Sequence, residues 1–118
     1  DLIHPTAIID PRADIGKGVK IGPYAVIGPN VKIGDGTEIM SHVVIDGWTT
    51  IGKDCRFFPS ASIGSEPQDL KFNGEKSYVI IGDRSVFREF VTVSRATGEG
   101  EETRIGNDCL LRMLPIIV

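Results

Sequence analysis

Cysteine is scarce in this chain, and so is histidine, with two of each among 118 residues. Cys55 and Cys109 both fall at small apolar positions of a repeat described below. Each reads as a buried thiol rather than half of a disulfide, and a reducing, cytoplasmic setting is expected. No apolar run approaches the roughly 20 residues that cross a bilayer, so membrane insertion is not expected. The start lacks a basic segment followed by an apolar one, the usual mark of export. A basic excess is missing too. The net charge of −3 offers little to nucleic acid or to an anionic membrane surface. A hydrophobic content of 41% suits a soluble solenoid or globular protein, and the length suits one domain or part of one.

What the chain does have is a beat of six. Ile3, Ile9, Ile15, Ile21, Ile27, Ile33, Ile39, Ile45, Ile51, Phe57 and Ile63 follow one another at that spacing without a break. Six is even, so on extended backbone all of these side chains point to one face. On an α-helix the same spacing advances by about 240° per step and forms no stripe. Gly recurs one residue after the anchor at 16, 22, 28, 34, 52 and 64. Four residues after it stand small or β-branched residues, among them Ala25, Val31, Thr37, Val43, Thr49 and Cys55. The pattern predicts an all-β repeat architecture with large aliphatics inside and glycine where the backbone bends. An antiparallel sandwich is the weaker alternative, because its strands vary in length and would not hold the beat.

Two segments break the rhythm. Residues 65–80 are polar and turn-forming, although Val79 and Ile80 already look like strand, and the hexads resume at Ile81, Phe87 and Val93. Residues 95–104 break it again before Ile105 and Cys109 restart it. A regular coil spends its side chains on packing, so two polar external loops at about 65–80 and 95–104 are where chemistry is expected.

The hexads resemble the hexapeptide-repeat family, whose fold is a left-handed parallel β-helix. That resemblance implies one strand and one corner per hexad, with three hexads closing a triangular coil. A closer one lies in the first loop. Ile63-Gly64-Ser65-Glu66-Pro67-Gln68-Asp69-Leu70-Lys71-Phe72-Asn73-Gly74-Glu75 resembles the signature loop of the UDP-N-acetylglucosamine 3-O-acyltransferases of lipid A biosynthesis. The runs Arg88-Glu89-Phe90-Val91-Thr92-Val93 and Thr103-Arg104-Ile105-Gly106-Asn107-Asp108-Cys109-Leu110-Leu111 continue the likeness in order.

This resemblance implies transfer of an (R)-3-hydroxyacyl group from acyl carrier protein to the 3-hydroxyl of UDP-N-acetylglucosamine. It implies a histidine general base, backbone oxyanion stabilisation, no metal or other cofactor, and a homotrimer with active sites between adjacent prisms. The logic is sound, since an imidazole titrating near neutrality can activate a sugar hydroxyl against an already activated thioester. Gln68, Asp69 and Lys71 take the places of substrate-binding residues. Asp69 can accept hydrogen bonds from sugar hydroxyls, Lys71 can meet nucleotide charge, and Gln68 can do both donor and acceptor work.

The chain departs from the family at its tail. After Leu111, family members carry a strand with two histidines, and here Arg-Met-Leu-Pro-Ile-Ile-Val follows. Ile116 stands in place of the first histidine, and the base is expected just beyond Val118, so no catalytic residue is assigned and the chain by itself is expected to be inactive. Pro115 takes a small interior position that it cannot serve with a backbone donor. The expected prism is therefore truncated at its C-terminus, which fits a natural truncation, a shifted reading frame or an artificial end alike. Ser94 and Ala96 also differ from the histidine and glycine that often flank Arg95 in the family. His4 and His42, in separate hexads, read as surface or corner residues. Two imidazoles fall short of the three-histidine zinc site that γ-class carbonic anhydrases build on such a prism. Alternatives are the related UDP-3-O-acylglucosamine N-acyltransferase and a non-enzymatic, trimer-forming solenoid.

Overall fold

The computed structural model describes residues 2–114, so the expectations for Pro115, Ile116 and Val118 lie outside the described residues. Every regular element there is a short β-strand. The first coil comprises β1 (Leu2–Ile3), β2 (Ile8–Ile9) and β3 (Asp14–Ile15), and the second β4 (Lys20–Ile21), β5 (Val26–Ile27) and β6 (Val31–Ile33). The third holds β7 (Glu38–Ile39), β8 (Val44–Ile45) and β9 (Trp48–Ile51). The fourth has β10 (Arg56–Phe57), β11 (Ser62–Ser65) and β12 (Tyr78–Ile81), and the fifth β13 (Val86–Phe87), β14 (Thr92–Ser94) and β15 (Glu102–Ile105). β16 (Leu110–Leu111) opens a sixth.

Every third strand pairs, which makes three sheets ordered β1-β4-β7-β10-β13-β16, β2-β5-β8-β11-β14 and β3-β6-β9-β12-β15. All the pairings are parallel, for example Ile3 with Ile21 and Ile45 with Ile63. This is the left-handed parallel β-helix expected from the hexads, and the sandwich alternative is excluded.

The anchors meet as the beat requires. Ile21, Ile27, Ile33, Ile39, Ile45, Ile51, Phe57, Ile63, Ile81 and Phe87 are all buried in one column. Their smaller companions Val19, Ala25, Val31, Val43, Cys55 and Ala61 fill the space between them. Polar residues at the small position stay satisfied. The Thr37 hydroxyl donates to the Gly52 carbonyl at 3.0 Å and accepts from the Cys55 N–H at 3.2 Å. Ser85 repeats the arrangement, donating to the Gly106 carbonyl at 2.7 Å and accepting from the Cys109 N–H at 3.1 Å. A buried hydroxyl with both partners avoids the desolvation cost of an orphan. Both cysteines are free, Cys55 buried and Cys109 half-buried.

The irregular segments run 66–77 and 95–101, narrower than the expected 65–80 and 95–104. The reason is pairing: Tyr78 to Ile81 lie in register with Trp48 to Ile51 below and with Glu102 to Ile105 above. A coil without a loop stacks Ile45 on Ile63, one turn of the prism later. Across the first loop Ile51 stacks on Ile81, and across the second Ile81 stacks on Ile105. Both of those intervals are still whole multiples of the hexad, longer than the plain coil by two hexads and by one. The beat therefore restarts in phase.

Candidate functional site

A triangular coil has three corners, and both loops leave from the same one. The first connects β11 to β12 and the second connects β14 to β15 one coil above. Beneath them the corner between β8 and β9 is the tight turn Asp46-Gly47, where Gly47 has φ 64°. Gly64, at φ 81°, turns the chain out of the prism, and a Cβ there would strike the Asp46 carbonyl oxygen. Only glycine combines that φ with that closeness.

The two loops hold each other. The Arg95 N–H donates to the Ser65 carbonyl at 3.0 Å, and the Ser77 hydroxyl donates to the Ala96 carbonyl at 2.5 Å. The Gly100 N–H donates to the Lys76 carbonyl at 2.7 Å, while the Lys76 N–H donates to Glu99 Oε2 at 2.6 Å. Beside this seam stands a cluster of rings and cations. The Arg95 guanidinium lies over the Trp48 ring at 5.4 Å and over the Phe72 ring at 5.1 Å. The Lys76 ammonium lies over Trp48 at 5.2 Å and over Tyr78 at 5.8 Å. Cations over indole and phenyl faces are attracted by the ring quadrupole, by about 0.5–1 kcal/mol at exposed sites and about 2 when desolvated.

Gln68, Asp69 and Lys71 come together on one turn at the outer end of the first loop, and all three are exposed. Asp69 shapes that turn. Its Oδ1 accepts from the Lys71 N–H at 2.9 Å, and its carbonyl accepts from the Phe72 N–H at 2.9 Å. The side-chain bond is the local asparagine-like turn that Asp favours, and it leaves Oδ2 available to a ligand. Leu70, at the tip, is fully exposed.

The histidines are elsewhere. His42 sits at the corner between β7 and β8 with φ 60°, its ring 5.2 Å from Tyr24. His4 Nδ1 lies 2.9 Å from the Thr6 hydroxyl and accepts from the Thr6 N–H at 3.2 Å. Both are corner residues away from the interior, as expected, and neither shares the corner of the loops. An apolar depression lined by Leu2, Ile3, Pro5, Ile21, Ile39 and Met40 lies on that other side too, and holds no loop residue. Among the described residues no three His, Cys, Asp or Glu side chains converge as a metal site. Nor is any helix there long and apolar enough to cross a membrane.

Neither the hexads nor the loop motif assigns a role to Trp48, Phe72, Lys76 or Arg95. One signal pointed to them: the single tryptophan follows Gly47 at the hexad corner from which, one coil later, the first loop departs.

Residues 3–66 match the family model described as the GMPPB C-terminal domain, which takes in the unbroken hexads and ends where the first loop begins. An acyl-(acyl-carrier-protein)–UDP-N-acetylglucosamine O-acyltransferase from Chlamydia caviae is 52% identical over 109 residues, 92% of this chain and 39% of the relative. The chain therefore spans about two fifths of the length of that curated relative. The crystal structure of a UDP-N-acetylglucosamine acyltransferase from Bacteroides fragilis matches with a TM-score of 0.89 at 46% identity, over 93% of this chain and 43% of that one. One from Acinetobacter baumannii gives the same TM-score at 48% identity, with the same shares of the two chains.

Proposed function

We propose a function from one premise: the chain belongs to the UDP-N-acetylglucosamine O-acyltransferase family, and its residues 3–66 to the GMPPB C-terminal domain family of repeats. On this reading it is the part of such an acyltransferase that presents the acceptor-binding loop. The protein would move an (R)-3-hydroxyacyl group from acyl carrier protein to the 3-hydroxyl of UDP-N-acetylglucosamine, the first step of lipid A biosynthesis, in the cytoplasm and as a homotrimer.

The observation that carries this reading is the outward turn at residues 68–71, held on a rigid prism and shaped by Asp69 itself. Asp69 is assigned the sugar hydroxyls, Lys71 the negative charge of the nucleotide or the acyl donor, and Gln68 a second hydrogen bond to the acceptor. A turn fixed before binding loses less entropy on binding, which is what positioning a weak nucleophile requires. No general base is assigned to His4 or His42, which sit at another corner of the prism. No cofactor is assigned.

Calorimetry with UDP-N-acetylglucosamine, alongside an acyl-transfer assay, tests this. The 118-residue chain should bind the sugar nucleotide and show no turnover above buffer. Asp69→Asn and Lys71→Met should each weaken binding by about tenfold, the effect of losing a charge-assisted hydrogen bond worth ~1.5 kcal/mol. Turnover by the chain alone, or binding indifferent to both substitutions, contradicts the assignment.

A further inference from the structure

We propose that Arg95 is a positioning residue for the turn at 68–71, acting through Phe72 and Ser65 as a clamp that couples the second loop to the first. Three elements from three successive coils meet at this side chain. Trp48 is fixed in β9, Phe72 ends the turn that Asp69 shapes, and Arg95 begins the second loop. The guanidinium lies over both rings, and the Arg95 backbone N–H holds the Ser65 carbonyl at the point where the first loop departs.

Arg95 is held over two rings and not by an ion pair. Among the described residues no carboxylate lies within 4.0 Å of its guanidinium, and its Nε is buried with no hydrogen-bond acceptor. A cation placed to bond an acid would not leave Nε orphaned. A cation placed over a ring on the prism and a ring on the loop can, because its partners are the two π faces. Phe72 is the loop's side of that contact. Its own N–H closes the turn on the Asp69 carbonyl, so whatever holds the ring also holds Asp69 and Lys71.

The assignment rests on the reading of that turn as the acceptor-binding element, and the test separates the two. Wild-type chain, Arg95→Met, Arg95→Lys, Phe72→Leu and the Arg95→Met/Phe72→Leu double variant are compared by amide exchange, Trp48 emission and UDP-N-acetylglucosamine titration. Arg95→Met and Phe72→Leu should each speed exchange of the Phe72 amide and weaken the sugar nucleotide by about tenfold, the ratio that ~1.4 kcal/mol of cation–π attraction sets. The double variant should be no worse than either alone, since both break one contact. Arg95→Lys keeps a cation at the rings, as Lys76 does over Trp48 and Tyr78, and should restore both quantities in part, while Trp48 emission should shift in every Arg95 variant. Thermal unfolding of the prism should hardly move, which sets a positioning role apart from a general loss of packing. Unchanged Phe72 exchange in Arg95→Met, no recovery with lysine, or additive single effects would overturn the clamp. If the wild-type chain binds no sugar nucleotide, the substrate reading fails, and the exchange and emission results still decide the clamp.

Discussion

Phe57 and Phe87 stack with ring centroids 4.6 Å apart and planes 9° from parallel, although five hexads separate them in sequence. Both are completely buried in the column of anchors, most of which are isoleucine. They face each other because the first loop is excluded from the prism, which brings the fifth coil down directly onto the fourth. Phe87→Ala removes a ring that its neighbours cannot collapse to replace, so about 3–5 kcal/mol of stability should be lost in urea unfolding. Phe87→Leu, which keeps most of the volume, should cost about 1–2 kcal/mol.

Two glycines with nearly the same backbone angle should respond differently to alanine. Gly64 has φ 81° and Gly74 has φ 82°. At Gly74 a Cβ meets nothing within 4 Å, whereas at Gly64 it meets the Asp46 carbonyl oxygen and the Thr49 hydroxyl. Gly74→Ala should cost only the left-handed strain, about 1 kcal/mol. Gly64→Ala should cost about 3 kcal/mol or more, because backbone must also move where the loop leaves. Denaturant midpoints of the two variants check the contrast.

Acid should weaken the prism partly through one pair that bridges coils. Arg84 Nε and Nη2 donate to Asp108 Oδ1 and Oδ2 at 2.8 and 3.0 Å. Those side-chain bonds hold the Asp108 carboxyl below its ordinary value. A carboxylate lowered on folding contributes stability that is present above its unfolded value, about 3.9, and is lost as pH falls through the folded one. Asp108→Asn should therefore flatten the acid limb of a plot of unfolding temperature against pH. The change should be small, since both side chains are exposed. A limb as steep as wild type would show that the pair contributes nothing.

The two thiols should react at separate rates. Burial pushes the Cys55 thiol up from its ordinary value, and its Sγ donates to the Gly82 carbonyl at 3.1 Å. Cys109 is half-buried just before β16. A colorimetric thiol reagent at mildly alkaline pH should modify Cys109 quickly and Cys55 only in denaturant, because the thiolate is the reacting form. Equal rates in the native protein would contradict the burial of Cys55.

Much of the fold was legible because it rests on a single local rule. Each anchor from Ile21 to Ile63 needs only its own parity to point inward, so the beat of six specifies the prism without any long-range information. The loop boundaries were less legible, because Tyr78, Glu102 and Thr103 are strand by virtue of partners in neighbouring coils. Three hexads, with anchors Ile81, Phe87 and Val93, lie between the two loops, so once three hexads are known to close a coil the stacking of both loops on one corner follows from the spacing. That fact of stacking is what joins Trp48 to Arg95 across two coils. Gln68, Asp69 and Lys71 are candidates through resemblance to a motif alone. Arg95 was noticed only for its unusual neighbours, since its role depends on rings contributed by two other coils.

The central claim is that the acceptor sugar nucleotide engages the turn at 68–71 on the corner shared by both loops. Backbone amide NMR of the chain titrated with UDP-N-acetylglucosamine tests it most directly. The account predicts saturable shifts concentrated at residues 65–77 and 94–101 and at the Trp48 indole, with the amides of β1, β4 and β7 still. Saturable shifts centred instead around His4, Tyr24 and His42, or none at millimolar ligand, would contradict it.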